Sequence, residues 1–169
     1  MKIAITGAHN TGKTTLAEGL QEFLPGYTFK QEPYYQLEEQ GHLFAATPDV
    51  DDFLVQLRYA LAATGTTGED IVFDRCPLDF LAYMQVLGAG ELVRDWYDEV
   101  ASFMAAIDLL VYVPVERPDR LGCPDDELPE LREAVDEILA EWVYDFDVPV
   151  LEVRGTLAER VRQVVNKTG

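Results

Sequence analysis

Short β-branched apolar runs and longer stretches with helical spacing succeed one another along the chain. Ile3 to Thr6 is the first run, and it meets a glycine-rich turn. From Thr14 to Leu24 the apolar residues Leu16, Leu20, Phe23 and Leu24 recur at helical spacing, and Pro25-Gly26 ends that helix. Tyr27 to Lys30 reads as a second strand stopped by Glu32-Pro33, with a polar loop or short helix after it. Asp49 to about Thr64 alternates too poorly for a strand, and its Ala and Leu content behind a Pro-Asp start predicts a helix.

Ile71 to Asp74 is an apolar strand closing on a carboxylate, and helices are expected over Pro77 to Leu87 and Glu91 to Ile107. Leu109 to Val113 is again a β-branched strand. Pro114 to Pro129 is rich in proline and mixed charge, which predicts a mobile loop rather than a packed element. An amphipathic helix over Glu130 to Trp142, a strand over Val148 to Val153 and a helix over Leu157 to Val165 complete the chain. Strands alternating with helices predict an α/β fold, a five-stranded, mostly parallel sheet with helices on both faces. Residues 1–169 are expected to form one domain, with a lid at about 114–129.

The glycine-rich turn after the first run reads Gly7-Ala-His-Asn-Thr-Gly-Lys-Thr-Thr15 and satisfies G-x-x-x-x-G-K-[ST] in full, between a strand and a helix. By average residue usage the pattern arises by accident in roughly one chain of this length in two hundred, before that context is counted. The glycines let the backbone curl so that successive N–H groups face phosphate oxygens, and the helix N-terminus adds its positive end. Gly7, Asn10, Thr11, Gly12, Lys13, Thr14 and Thr15 are the expected nucleotide-binding residues. Lys13 is expected to bridge the β- and γ-phosphates, and Thr14 to place its hydroxyl on Mg²⁺, with ATP as phosphoryl donor.

Three further features bear on which P-loop chemistry this is. Asp74 ends a buried apolar strand, where a carboxylate can join Thr14 on the metal, and Arg75 follows it. Glu32 lies just past the second strand, at the carboxyl edge where such sheets open a crevice, and can accept a hydroxyl proton. Arg117 and Arg120, with Arg132 a little beyond, lie on or near a loop able to close over phosphates. A base at the acceptor, a cationic lid and a metal at the donor are the parts of phosphoryl transfer, so Lys13, Glu32, Arg75, Arg117 and Arg120 are the expected catalytic set. Tyr34, Tyr35 and Phe44 follow Glu32 and can either stack on a base or pack in the core. His9 occupies a free position of the motif and is assigned no chemistry.

Thirty-one acidic residues against thirteen basic ones give a formal charge of −18. That field repels nucleic acid, and four scattered lysines build no polybasic patch. The two cysteines lie far apart, which fits a reducing cytoplasm, and no stretch is apolar enough to cross a membrane. The expected partner is a small-molecule acceptor; self-association into a homodimer is left open.

The order of P-loop, Glu-Pro after the second strand, Asp-Arg after the third and an arginine-bearing lid resembles the deoxynucleoside and thymidylate kinase branch of P-loop kinases. Val72 to Tyr83, VFDRCPLDFLAY, is also similar to AAA-type P-loop kinases related to the nicotinamide riboside kinase domain. The first resemblance implies Glu32 as base for a 5′-hydroxyl, Asp74 on the metal, Arg75 on phosphate, and Gln56 as the helix glutamine at the acceptor. Tyr34, Arg75 and Asp79 join Glu32 and Gln56 on the acceptor side. Cys76 stands where the family usually carries Ser, and Asp79 comes one place early. The expected activity is transfer of a γ-phosphoryl group to a nucleoside or nucleotide. The rival from another class is a regulatory NTPase that hydrolyses ATP or GTP as a switch.

Overall fold

The computed structural model describes residues 1–63 and 70–169. Its elements are β1 (Lys2–Thr6), α1 (Lys13–Gln21), β2 (Thr28–Lys30), α2 (Pro33–Glu39), α3 (Val50–Ala62), β3 (Ile71–Asp74) and α4 (Pro77–Val86). After them come α5 (Gly90–Ala105), β4 (Leu109–Tyr112), a 3₁₀ turn (Asp125–Glu127), α6 (Pro129–Trp142), β5 (Val150–Glu152) and α7 (Leu157–Thr168). The undecided stretch after Glu32 is the helix α2, with Pro33 at its first turn, where a missing N–H costs nothing. Asp49 caps α3 through a capping box with Asp52, and the expected end near Thr64 lies outside the described residues.

The strands pair in the order β2-β3-β1-β4-β5, every pair parallel. Side chains alternate across each strand, so each feeds two cores. Ile3, Ile5, Val72, Leu109 and Val111 meet Leu16 and Leu20 of α1 and Val161 and Val164 of α7 on one face. Ala4, Ile71, Phe73, Leu110 and Tyr112 meet α3 to α6 on the other. On that second face α4 is enclosed: every residue from Pro77 to Met84 is buried. Fully buried side chains such as Phe80, Leu81 and Met84 each contribute roughly 1.5–3 kcal/mol, which fixes α4 firmly beneath the β1–α1 turn.

The segment after β4 departs from the expected loose loop at its start. Pro114, Val115 and Glu116 are buried, and Asp136 of α6 accepts the Val115 N–H at 3.1 Å. From Arg117 onward the chain is largely exposed until α6.

Candidate active site

The β1–α1 turn has the shape its glycines demand. A Cβ on Gly7 would stand 2.4 Å from the Val113 carbonyl oxygen, so nothing larger fits against the end of β4. Gly12 sits at φ +88° where α1 begins, and Asn10 also lies in the left-handed region at φ +55°. The N–H groups of Asn10 to Thr15 donate to no acceptor among the described residues. Unbonded backbone donors at a helix start form an anion site. A cavity of about 510 Å³ opens above them, lined by Asn10, Gly12, Lys13, Thr14 and Thr15 and, from the far side, by Leu121, Gly122, Pro124 and Glu127. Gly7 and Thr11 do not line it; they shape the turn from behind, Thr11 through a hydroxyl bond to the Ala8 carbonyl at 3.0 Å.

Lys13 is buried, and its Nζ rests on the Ala8 carbonyl at 2.5 Å. Burial, with the Arg75 charge behind it, lowers its pKa to about 8. Asp74 at the end of β3 is also buried, and burial pushes its pKa up against the opposing effect of the Thr14 hydroxyl. One of its carboxylate oxygens, Oδ1, has no hydrogen-bond partner among the described residues. A buried, partnerless carboxylate oxygen calls for a cation, and with Thr14 it makes a fitting two-ligand seat for a divalent ion. No group of three or more His, Cys, Asp or Glu side chains able to hold a metal occurs among the described residues.

Arg75 follows Asp74 with φ +91°, a strained conformation for a residue with a Cβ. The strain turns its guanidinium toward Glu32, at the start of α2, with Nε 2.6 Å from Oε1. The N–H does not point along that line, so the contact is an ion pair rather than an aligned hydrogen bond. Burial works against the Arg75 cation, but Glu32, Tyr83 and Asp79 outweigh it and hold its pKa above the ordinary arginine value. Its guanidinium also lies over the rings of Phe80 and Tyr83, at 5.6 and 5.7 Å.

Glu32 and Arg75 line a second cavity as well, of about 360 Å³, reached on the other side of the pair. Tyr34 and Phe44 stack in its wall at 4.4 Å and 20°, Phe53 and Tyr83 at 4.5 Å and 13°, and Gln56 joins them. Tyr35 lines the first cavity instead. The acceptor-side residues Glu32, Tyr34, Gln56 and Arg75 are thus brought together, while Asp79 is not among them. Asp79 is fully buried below the turn, where its Oδ1 accepts the Thr6 hydroxyl and, at 3.4 Å, the Gly7 N–H. Its place one residue early rotates it about 100° around α4, away from the cavity. Burial raises its pKa to about 6 despite nearby Arg75 and Lys13.

The lid arginines also stand elsewhere than expected. Arg117 is 76% exposed and paired with Glu133, Arg120 is 57% exposed and paired with Glu116, and neither lines either cavity. A surrounding excess of carboxylates captures exposed arginines in this way. His9, given no role in the sequence, is a junction: Nδ1 is 2.7 Å from the Tyr83 hydroxyl, Nε2 is 2.7 Å from the Glu127 carbonyl, and it lines both cavities. A carbonyl accepts only, so Nε2 carries the proton and Nδ1 accepts from Tyr83. Burial keeps this ring neutral, with a pKa of about 4. No one-dimensional signal marks His9, because its partners lie 74 and 118 residues away.

Residues 2–160 match the family model described as an AAA domain. The chain belongs to that family. Among solved structures it is similar to deoxyadenosine kinase from M. mycoides with dCMP and dCDP bound, at 19% identity and a TM-score of 0.67, over 99% of this chain and 98% of that one. The same kinase with bound dATP matches at 22% identity over the same shares, again with a TM-score of 0.67. The NadR protein in complex with NR matches at 20% identity and a TM-score of 0.71, over 99% of this chain but 51% of that one. A search of curated proteins finds no match. This AAA domain therefore has the fold of P-loop nucleoside kinases. No helix among the described residues is long and apolar enough to cross a membrane.

Proposed function

We propose that the chain is a phosphotransferase that moves the γ-phosphoryl group of Mg·ATP to a hydroxyl of a nucleoside-like small molecule. The observation that carries this reading is the Glu32–Arg75 pair, which lines both the anion cradle and the aromatic cavity beside it. A hydrolysing switch needs one cavity and a water; two cavities meeting at a carboxylate and a guanidinium suit two substrates.

In this scheme the triphosphate lies on the N–H groups of Asn10 to Thr15, and Lys13 leaves the Ala8 carbonyl for the terminal phosphates. Thr14 and Asp74 would hold Mg²⁺, which would supply charge neutralisation on the phosphate oxygens. Glu32 takes the proton of the acceptor hydroxyl as its oxygen bonds to the γ-phosphorus and the bond to the β-phosphate oxygen breaks, releasing ADP. Arg75 faces the charge that spreads over the transferring group.

The second cavity favours a nucleoside over a nucleotide. Glu32, Asp52, Asp126 and Glu127 line it against the single guanidinium of Arg75, which is already paired. An acceptor phosphate there would meet repulsion worth about 2 kcal/mol at roughly 8 Å in a medium of intermediate dielectric. The aromatic pairs offer faces for a base, and the Gln56 carboxamide offers hydrogen bonds to its edge. Labelled ATP incubated with a panel of nucleosides and their 5′-monophosphates tests this. Label on a nucleoside supports the reading; release of phosphate at full rate without any acceptor overturns it in favour of a switch.

A further inference from the structure

Four successive carbonyls of the β1–α1 turn are each held by a buried cation. Lys13 takes the Ala8 oxygen at 2.5 Å. Arg132, from α6, takes the His9 oxygen through Nε at 2.9 Å and the Asn10 oxygen through a terminal nitrogen at 3.0 Å. Arg160, from α7, takes the Thr11 oxygen at 2.6 Å. Both arginines are almost wholly buried, at 2% and 6% exposure, so neither is a surface residue that reached the turn by chance. A buried guanidinium needs charge compensation, and each has it from the segment after β4: Asp119 for Arg132 at 2.6 Å, Glu116 for Arg160 at 3.1 Å. Arg160 also takes the Gly155 carbonyl at 3.0 Å, tying the loop after β5 to the same point.

A peptide unit has its N–H and C=O on opposite sides, so an outward carbonyl turns the next N–H inward. We propose that Arg132 and Arg160 are positioning residues for phosphate binding: by gripping these carbonyls from behind they aim the N–H groups of Asn10 and Gly12 into the cradle. They touch no phosphate themselves. Their positive charge on the carbonyl side also polarises the same peptide groups, strengthening the donors that face the anion. Because Asp119 and Glu116 complete the grip, the shape of the cradle depends on the segment from Pro114 to Leu128 being seated. This inference goes beyond the proposed transfer reaction and requires only that the cradle bind phosphates.

Inorganic tripolyphosphate, which occupies the cradle alone, is the probe. Its affinity is measured by calorimetry for the parent chain and for Arg132→Met, Arg160→Met, Arg132→Lys and Arg160→Lys, beside the thermal midpoint of each variant. The methionine variants are expected to bind about tenfold or more weakly, since each removes charge-assisted hydrogen bonds to the turn. A lysine keeps the charge but reaches only one carbonyl, so Arg132→Lys is expected to recover part of the loss and not all of it. Adenosine binding separates positioning from general damage: where it is retained while tripolyphosphate binding falls, the proposal stands. Equal affinity for tripolyphosphate in folded variants overturns it, as does parallel loss of both ligands, or a parent chain that binds no tripolyphosphate. Should the methionine variants not fold, the lysine variants decide alone, and parent-like binding in Arg132→Lys overturns the grip on two carbonyls.

Discussion

The floor of the cradle is one contiguous turn with its backbone donors, whereas the cavity across the Glu32–Arg75 pair is walled mainly by side chains from α2, α3, α4 and the segment leading into α6. The first is a shape that a handful of glycines and a helix start produce wherever they occur together. The second exists only because α4 is enclosed by other helices and carries Tyr83 and the start of the Arg75 turn to one place. Their charges differ as well. Glu32, Arg75 and Glu127 line both, but Lys13 and the unbonded N–H groups belong to the first alone and favour a polyanion there, while Asp52 and Asp126 belong to the second alone and disfavour one. Neighbouring cavities that differ in this way favour a polyanion in the first and an uncharged molecule in the second.

The contrast breaks most completely at Lys13. Replacing Lys13 with Met leaves the cradle's N–H groups but removes its one mobile cation, and phosphoryl transfer from ATP is expected to fall about 10³-fold or more in a steady-state assay. Acceptor affinity, measured by calorimetry without nucleotide, should not change. Glu32→Gln acts on the shared wall and is expected to lower kcat about 10²-fold, with the KM for ATP within a factor of about three. A kcat equal to that of the parent removes Glu32 from the role of base.

Asp79→Asn tests the strut below the cradle. The folded pKa of about 6 lies above the usual carboxylate value, so the folded state holds this proton more tightly than the unfolded chain. Stability from Asp79 is therefore complete below about pH 4 and is lost as pH rises toward about 6. Asparagine keeps an acceptor for Thr6 and Gly7 but does not ionise. The parent minus variant difference in unfolding free energy should fall by about 3 kcal/mol at most between pH 4 and 7, and a flat difference shows that the carboxyl is not perturbed. The smallest effect is expected at Arg117, whose pair with Glu133 is exposed. Arg117→Ala should shift stability by less than about 0.5 kcal/mol and kcat/KM by less than about threefold. A hundredfold loss instead would show that the segment rearranges to bring Arg117 onto the phosphates.

Most of the fold was legible from pattern alone, because burial on both faces of a parallel sheet writes itself as short continuous apolar runs. Ile71 to Asp74 matches its strand end to end, and the other strands and helices agree within a few residues. The stretch after Glu32 could not be decided between loop and helix: its seven-residue helix buries little beyond Pro33, so periodicity has almost nothing to report. The beginning of the post-β4 segment looked loose for the opposite reason. Its prolines suggest a breaker, while Pro114 to Glu116 are buried by partners distant in the chain, among them Asp136 and Arg160.

In the site, the sequence alone determined the cradle from Gly7 to Thr15, since a strand-turn-helix motif carries its geometry within a few residues; Asp74, distant in the chain, reaches Thr14 because β3 pairs beside β1. Tertiary structure decided everything that depends on rotation about a helix or on the choice among many partners. It set Asp79 below the turn instead of in the cavity, and put His9 between Tyr83 and Glu127. It also gave the P-loop carbonyls to Arg132 and Arg160 rather than giving its phosphate side to Arg117 or Arg120. In a chain with 31 carboxylates and 13 lysines and arginines, which arginine reaches which oxygen is settled by burial and distance, and neither is written in the order of residues.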